Sequence, residues 1–468
     1  MGQRRLAGTP LDFAELRGES GVPGEFSSTA LRQAELAATR TPTADLDRTD
    51  LELITVDPAG SRDLDQALHI ARSEQGYLIS YAIADVAFFV DPGSALDLET
   101  RTRGETFYFP DARVPLHPPI LSEGAASLLP GQPRRVVLWQ ISLDTQGNAT
   151  STDVRHALVR SRQQWDYHRL QQACDEGNAP AAAALLPEVG ALRRGLALKR
   201  HAIGLNLAEQ EVVPHADGGW DLVLRAPLPI EEANAELSLL TGICAARLML
   251  DGGVGILRTL PPPDESAVRV LRRIAPALGV DWPEGTLPGD VLARLDPGNS
   301  RHAAFAEHAS SLLRGAGYRV FAGAPPVEQL HAGIGAPYAH VTAPLRRLVD
   351  RFGTEVCLAL QAGSAVPDWV TSALPELPSR MARADRLAHV VDRAVIDATE
   401  AFLLADRVGE KFEAVVLDAD DKGATIAIEQ PAVRTKCEGS GLSLGQRLKV
   451  TLLSCDVRTR TVRFSAAG

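Results

Sequence analysis

Thr55-Val56-Asp57-Pro58-Ala59-Gly60-Ser61-Arg62-Asp63-Leu64-Asp65-Gln66-Ala67-Leu68 places three carboxylates in a turn between two apolar runs. Leu53-Ile54-Thr55-Val56 and Ala67-Leu68-His69-Ile70 read as short strands. Pro58 and Gly60 between them predict a loop that returns Asp57 to the side of Asp63 and Asp65. Three neighbouring carboxylates repel one another unless a cation neutralises them. Hard oxygen ligands with no cysteine beside them favour Mg²⁺ or Mn²⁺ over zinc, and Mg²⁺ keeps open positions for water and substrate phosphate. A solvated Asp-rich turn is the competing reading of this spacing.

The 468 residues, 45% of them hydrophobic, suffice for two or three domains. No run of about eighteen uncharged apolar residues stands out, and Met1-Gly2-Gln3-Arg4-Arg5 lacks the apolar core of a leader. A cytoplasmic protein without a membrane partner is therefore expected. Cys174, Cys244, Cys357, Cys437 and Cys455 are scattered and never form a C-x-x-C pair, which argues for free thiols. The net charge of −11 excludes attraction of nucleic acid by the field of the whole protein, so any phosphate grip must be local. Lysine occurs only at Lys199, Lys411, Lys422, Lys436 and Lys449, which leaves phosphate binding to arginine and its bidentate fork.

Three regions follow from the patterning. Residues 1–48 carry helical patterns over Leu11–Leu16 and Ser28–Ala37, read as a small helical module, either helix-turn-helix or winged-helix-like or a docking arm. Residues 49–405 begin with strand patterns at Tyr77–Ala84 and Arg135–Leu143. Helical patterns follow around 180–204, 232–250, 302–317, 343–362 and 382–404, which predicts an α+β body of mixed sheet and helices. Residues 406–468 hold short strands at Phe412–Leu417, Ala424–Ile428 and Arg447–Leu453, fitting a small β-barrel. The run from Val408-Gly409-Glu410-Lys411-Phe412 to Val462-Arg463-Phe464-Ser465 resembles an S1-type OB-fold, an RNA-binding module. Its central strands are poor in aromatic residues, so Arg434, Lys436, Arg447 and Arg458 are the expected electrostatic grip, with plain solvation as the alternative.

Two further segments bear on chemistry. The first is Arg103-Gly104-Glu105-Thr106-Phe107-Tyr108-Phe109-Pro110, followed by Leu121-Ser122-Glu123-Gly124-Ala125-Ala126-Ser127-Leu128-Leu129-Pro130. The second runs from Gly333 to Arg351 and contains Tyr338-Ala339-His340-Val341-Thr342-Ala343-Pro344-Leu345-Arg346-Arg347-Leu348-Val349-Asp350. A turn at Pro344 and a helix from Leu345 would put Arg346 in the first helical turn, where it and backbone N–H groups can clamp a phosphate. Arg347 and Arg351, four residues apart, would share a face along the strand's path, unless they pair with Asp350 or Asp85. His340 reads as a hydrogen-bonded structural histidine.

In order and spacing these segments resemble the RNase II (RNB-domain) family of exoribonucleases. The resemblance implies an RNB-type catalytic domain degrading single-stranded RNA from its 3′ end to nucleoside 5′-monophosphates with Mg²⁺, for which Mn²⁺ can substitute. It implies Asp57, Asp63, Asp65 and Gln66 as the metal set, Gln66 standing where the family carries a fourth aspartate. Asp65, Arg346 and Tyr108 become the catalytic residues, Tyr108 near the terminal nucleotide. Glu236 aligns with a ribose-facing family glutamate, and Asp392 stands where the family has another. Ala343 and Leu348 replace a usual serine and tyrosine, residues 1–48 have no strand pattern for the family's cold-shock barrels, and the lack of the family's basic C-terminal tail leads to an expectation of unstructured substrates. A monomer is expected. The rival reading is a relative weakened at Gln66 that binds RNA without cutting it.

Overall fold

The computed structural model describes residues 11–205, 208–215, 219–296, 299–420 and 423–466. Met1–Arg5, read for the lack of a leader core, lie outside the described residues.

The central sheet contains β1 (Leu46–Asp47), β2 (Leu53–Asp57), β3 (Gln66–Ser73) and β4 (Gly76–Ala84). A separate hairpin, β5 (Phe107–Tyr108) and β6 (Arg113–Val114), precedes β7 (Pro133–Asp144) and β8 (Ala149–Asp166), which complete the sheet. Its order is β1-β8-β2-β3-β4-β7. The long β8 pairs antiparallel with β7 through Ala149–Arg160 and parallel with β2 through Ser161–Asp166, so the sheet curls back on itself. Both faces are covered, which explains the nearly unbroken apolar run of β4.

Short hairpins decorate this body: β9 (Glu209–His215) with β10 (Gly219–Arg225), β11 (Val254–Thr259) with β12 (Gly317–Ala322), and β13 (Leu330–His331) with β14 (Ala336–Pro337). The chain closes with β15 (Lys411–Asp420), β16 (Gly423–Ile428), β17 (Val433–Glu438), β18 (Arg447–Asp456) and β19 (Thr461–Ala466). These five form a closed barrel in the order β15-β16-β17-β19-β18, the OB-type barrel anticipated from the strand spacing.

The helices are α1 (Phe13–Glu19), α2 (Ser28–Ala38), α3 (Ala95–Arg103), α4 (Tyr167–Asp175), α5 (Leu186–Lys199) and α6 (Pro229–Gly252). After them come α7 (Glu265–Ile274), α8 (Pro288–Leu292), α9 (Ser300–Ala309), α10 (Leu348–Gln361), α11 (Asp368–Ala373) and α12 (Leu377–Leu404). Among the described residues α6 is the one helix long and apolar enough to cross a membrane. Most of it is instead buried in the main core, where Leu237, Leu240, Ala245, Ala246 and Met249 pack beneath the sheet. The helical pattern around 302–317 ends sooner than its periodicity suggests, because Gly315 adopts φ +90° and Gly317 opens β12.

The first two helices are capped by Asp12 and Ser27, each accepting a backbone N–H. They dock at different places. Ala30, Ala34 and Ala37 of α2 lie against the sheet core with Leu53 and Val136, whereas Phe13 and Leu16 of α1 pack with Phe107, Phe109, Val391 and Val395.

Arg351 corrects one expectation. Rather than lining a path for RNA, it is 3% exposed, pairs with Asp97 Oδ1 at 2.7 Å and donates to the Val90 carbonyl at 2.6 Å. Its position four residues after Arg347 turns it inward, where it faces the Trp369 ring. Removing one partner of a buried pair strands the other charge. Arg351→Met is therefore expected to cost about 3–5 kcal/mol in urea unfolding while leaving the RNA affinity of the folded protein unchanged.

Candidate active site

β2 ends on Asp57 and β3 opens on Gln66, with Ile54 opposite Leu68, so the loop between them carries Asp63 and Asp65 back toward Asp57. Gly60 sits at φ +82°, a conformation that glycine adopts without strain. The loop is pinned from several sides. Ser127 Oγ accepts from Leu64 N–H at 3.0 Å and donates to the Arg62 carbonyl at 2.6 Å. Gln164 donates to the Ser61 carbonyl at 2.7 Å.

Asp65 is buried, and its Oδ1 accepts from Leu345 N–H at 2.7 Å. Burial pushes its carboxyl well above the usual range, against the pull of Arg346. Asp57 is likewise raised to about 6, chiefly by burial, and its Oδ2 is buried without a hydrogen-bond partner. Asp63 is held by Arg113 and by the Tyr108 hydroxyl, which donates to its Oδ2 at 3.2 Å. Among the described residues no three Asp, Glu, His or Cys side chains form a metal cage by themselves. The donor set nonetheless fits Mg²⁺, which typically takes one or two carboxylates and completes its shell with water and substrate phosphate. The orphaned Asp57 oxygen and Asp65, both in the field of Arg346 and Asp63, are the acceptors such an ion needs. Gln66 plays a different part, because its amide donates to the Thr342 carbonyl and ties β3 to the distant third segment.

That segment departs from the expected geometry. The helix starts at Leu348 rather than Leu345, because Arg347 is extended and bridges Glu105. Thr106 N–H donates to the Arg346 carbonyl at 3.0 Å, and Leu348 N–H to the Gly104 carbonyl at 2.9 Å, which holds the preceding turn out of the helix. Asp350 accepts from Ala343 N–H at 2.7 Å and from Arg347 at 2.6 and 2.8 Å. Arg347 is thus a strut and not a free phosphate ligand. Arg346 stands ahead of the helix with its side chain 52% exposed and its Nε 3.6 Å from Asp65 Oδ2. His340 is half-buried, and its Nδ1 is hydrogen-bonded to the Tyr318 hydroxyl at 2.8 Å, the structural role its context suggested.

Tyr108 is 46% exposed, so its ring is open to stacking while its hydroxyl is anchored. The β5–β6 register sets Arg113 directly opposite it, and both reach Asp63. Sequence reasoning missed Arg113, although the short spacing from Tyr108 across Pro110-Asp111-Ala112 is a hairpin signal. It also missed Tyr167, which bonds Asn234, and Tyr81, which bonds Ser238 at 2.9 Å; both phenols feel the charges of Asp57 and Arg346. Glu105, raised to about 7 by burial and by Asp385, is a further half-buried acid beside Arg347.

Glu236 and Arg434 need correction as expected RNA contacts, while Asp392 and Lys436 keep exposed positions. Asn234 and Ser238 turn the acid-facing side of α6 toward Tyr167 and Tyr81. Glu236, two residues from each, lies about 200° around the helix and faces Arg193 and Arg200. Asp392 neighbours His389 and Glu209 and also acts on Glu105, though less than Asp385, which nearly two turns earlier on α12 pairs with Arg258 at 2.9 Å. Arg434 is a strut from the barrel to Glu307 of α9 at 2.9 Å and to the Ala208 carbonyl at 3.1 Å. Lys436 is exposed but donates to Thr425 Oγ1 on the adjacent strand at 3.0 Å.

The profile of the RNB domain matches residues 46–353, which takes in the acidic loop, the β5–β6 hairpin and the Arg346 turn. The chain belongs to the RNB family. Residues 410–467 match the RNase II-type exonuclease C-terminal S1 domain. Ribonuclease R of Thermotoga maritima is 25% identical to this RNB protein over 435 residues, covering 88% of the chain and 61% of the relative. Ribonuclease R of Escherichia coli is 25% identical, covering 90% and 57%. The chain spans about three-fifths of the length of these curated relatives. Mycoplasma genitalium RNase R in complex with ribose-methylated single-stranded RNA superposes with a TM-score of 0.87 at 20% identity, over 96% of this chain and 76% of that one. Yeast Ssd1, described as a pseudonuclease, superposes with a TM-score of 0.71 at 16% identity, over 93% and 55%. The RNB fold is therefore shared, and activity has to be argued from the site.

Two measurements probe the acidic loop. A carboxyl raised in the folded state takes up protons on folding, so Asp57 stabilises the protein at low pH and ceases to do so as pH rises through about 6. In EDTA, Asp57→Asn is expected to gain about 2 kcal/mol on wild type between pH 4 and pH 8 in unfolding free energy. Millimolar Mn²⁺ should reverse that ranking at pH 8. Gln66→Asp should lower stability in EDTA by about 1–3 kcal/mol, since it strips the Thr342 carbonyl of its donor and adds a carboxylate.

Proposed function

We propose that the chain is a 3′-to-5′ hydrolytic exoribonuclease that takes single-stranded RNA and releases nucleoside 5′-monophosphates. It acts as a cytoplasmic monomer and uses Mg²⁺, with Mn²⁺ able to substitute. The observation that carries this reading is the meeting of Asp57, Asp65, solvent-facing Arg346 and the open Tyr108 ring at one loop. Two likenesses support it: the curated relatives are ribonucleases R, and the Mycoplasma genitalium RNase R that shares this fold is in complex with single-stranded RNA. Direction and product come from the RNase II resemblance.

Asp57, Asp63 and Asp65 would hold the cation, which would supply Lewis-acid activation of a water and neutralise phosphate charge. Arg346 donates to the non-bridging oxygens of the scissile phosphate, where negative charge builds up. Tyr108 stacks on the terminal base, and its hydroxyl together with Arg113 fixes Asp63. Gln66 and Asp350 hold the backbone that presents Arg346. Lys436 adds a weak phosphate attraction on the barrel. Retention of all three aspartates favours an enzyme over a protein that only binds RNA.

The test uses purified protein, 5′-labelled oligo(A) and Mg²⁺ or Mn²⁺. Progressive shortening with AMP release is expected, lost in EDTA and in Asp65→Asn. Arg346→Ala should lower kcat by roughly 10²–10³-fold. RNA binding with no monophosphate released in either cation would refute the reading.

A further inference from the structure

Behind α6, on the side facing away from the acidic loop, a cavity of about 440 Å³ lies between α5, α6 and the Ala336-Pro337 strand. The two helices touch at Gly190, where a Cβ would come within 2.5 Å of the Ala233 Cβ. Farther along both helices the cavity opens. Its wall carries Arg193, Arg200 and Arg247, and its apolar part includes Leu196, Leu240 and Ile243.

The arginines are poorly compensated. Arg193 is 4% exposed; its Nη1 donates to the Gly147 carbonyl at 2.9 Å, and its Nε is buried with no partner. Arg200 donates to the Ile334 carbonyl at 3.3 Å. Among the described residues none of the three has a carboxylate within ion-pair distance, although the neighbouring Arg194 reaches Glu232 at 3.8 Å. Glu236 is the buried acid that acts on Arg193 and Arg200, and Asp251 lines the cavity as an exposed residue. Three guanidiniums thus meet two carboxylates at longer range. Burial lowers the pKa of both Arg193 and Arg200, so their charge is held against a desolvation penalty. An entering anion offsets that penalty, and a guanidinium fork matches phosphate oxygens in particular. The volume falls in the range of small-molecule sites, which combine apolar walls with a few convergent polar groups.

We propose that this cavity binds a nucleoside 5′-monophosphate taken from solution, with the phosphate on Arg193, Arg200 and Arg247 and the base against Leu196, Leu240 and Ile243. The site is separate from the acidic loop and stands whether or not the chain cleaves RNA.

Isothermal titration calorimetry on the full chain in EDTA tests it, with AMP, adenosine, inorganic phosphate and glucose 6-phosphate as probes. One AMP per chain is expected, with no adenosine binding and at least tenfold weaker binding of the other two. Arg247→Gln alters an exposed residue and should weaken AMP at least tenfold. Leu196→Trp fills the cavity and should abolish binding; if it does not fold, Arg247→Gln decides. Tyr108→Ala and Arg346→Ala should leave AMP affinity unchanged. The proposal is overturned if AMP does not bind, if inorganic phosphate binds as tightly, if Arg247→Gln has no effect, or if binding is lost in the Tyr108 or Arg346 variants.

Discussion

The hydrogen bond from Leu345 N–H to Asp65 Oδ1 joins residues 280 positions apart, and the site depends on it. It gives a fully buried carboxylate one strong donor and gives a buried loop N–H its acceptor, so neither can be lost without exposing the other. Two parallel ties repeat the logic on the same stretch of backbone. Gln66 takes the Thr342 carbonyl, and Asp350 takes the Ala343 N–H. Between them these three side chains define the path from Thr342 to Arg347.

His117 serves the same stretch. Burial pulls its pKa down to about 3, so the neutral ring donates Nε2–H to the Pro344 carbonyl at 3.2 Å. The consequence is an economical use of positive charge. Arg347 is drawn into Asp350 and Arg351 into Asp97, so that of these three arginines Arg346 is the one facing solvent beside the acids. In a chain of net charge −11, an exposed arginine at the cation-binding loop offers phosphate a local target that the whole molecule does not.

The acidic loop, its flanking strands and the barrel could be read directly from the sequence, because hairpin register and strand alternation are set by near neighbours. The helical patterns at α1, α2, α10 and α12 were legible for the same reason, with errors at their ends. The start of α10 was not legible. Nothing local to Leu345 announces that Gly104 and Thr106 will take hydrogen bonds from and give them to this turn. Glu236 was misplaced because alignment of residue types does not fix rotation about a helix axis; that depends on which face meets Tyr167 and Tyr81.

By itself the sequence determined which groups are present: three aspartates in one turn, a tyrosine in a tight hairpin and an arginine pair after a proline. Local steric and hydrophobic patterns then sufficed for a mixed body followed by a barrel. Only the tertiary structure decided which arginines are free, which carboxylates are buried, and that Gln66 holds backbone. Those outcomes rest on desolvation and on partners hundreds of residues away, and both exist only once the chain has packed.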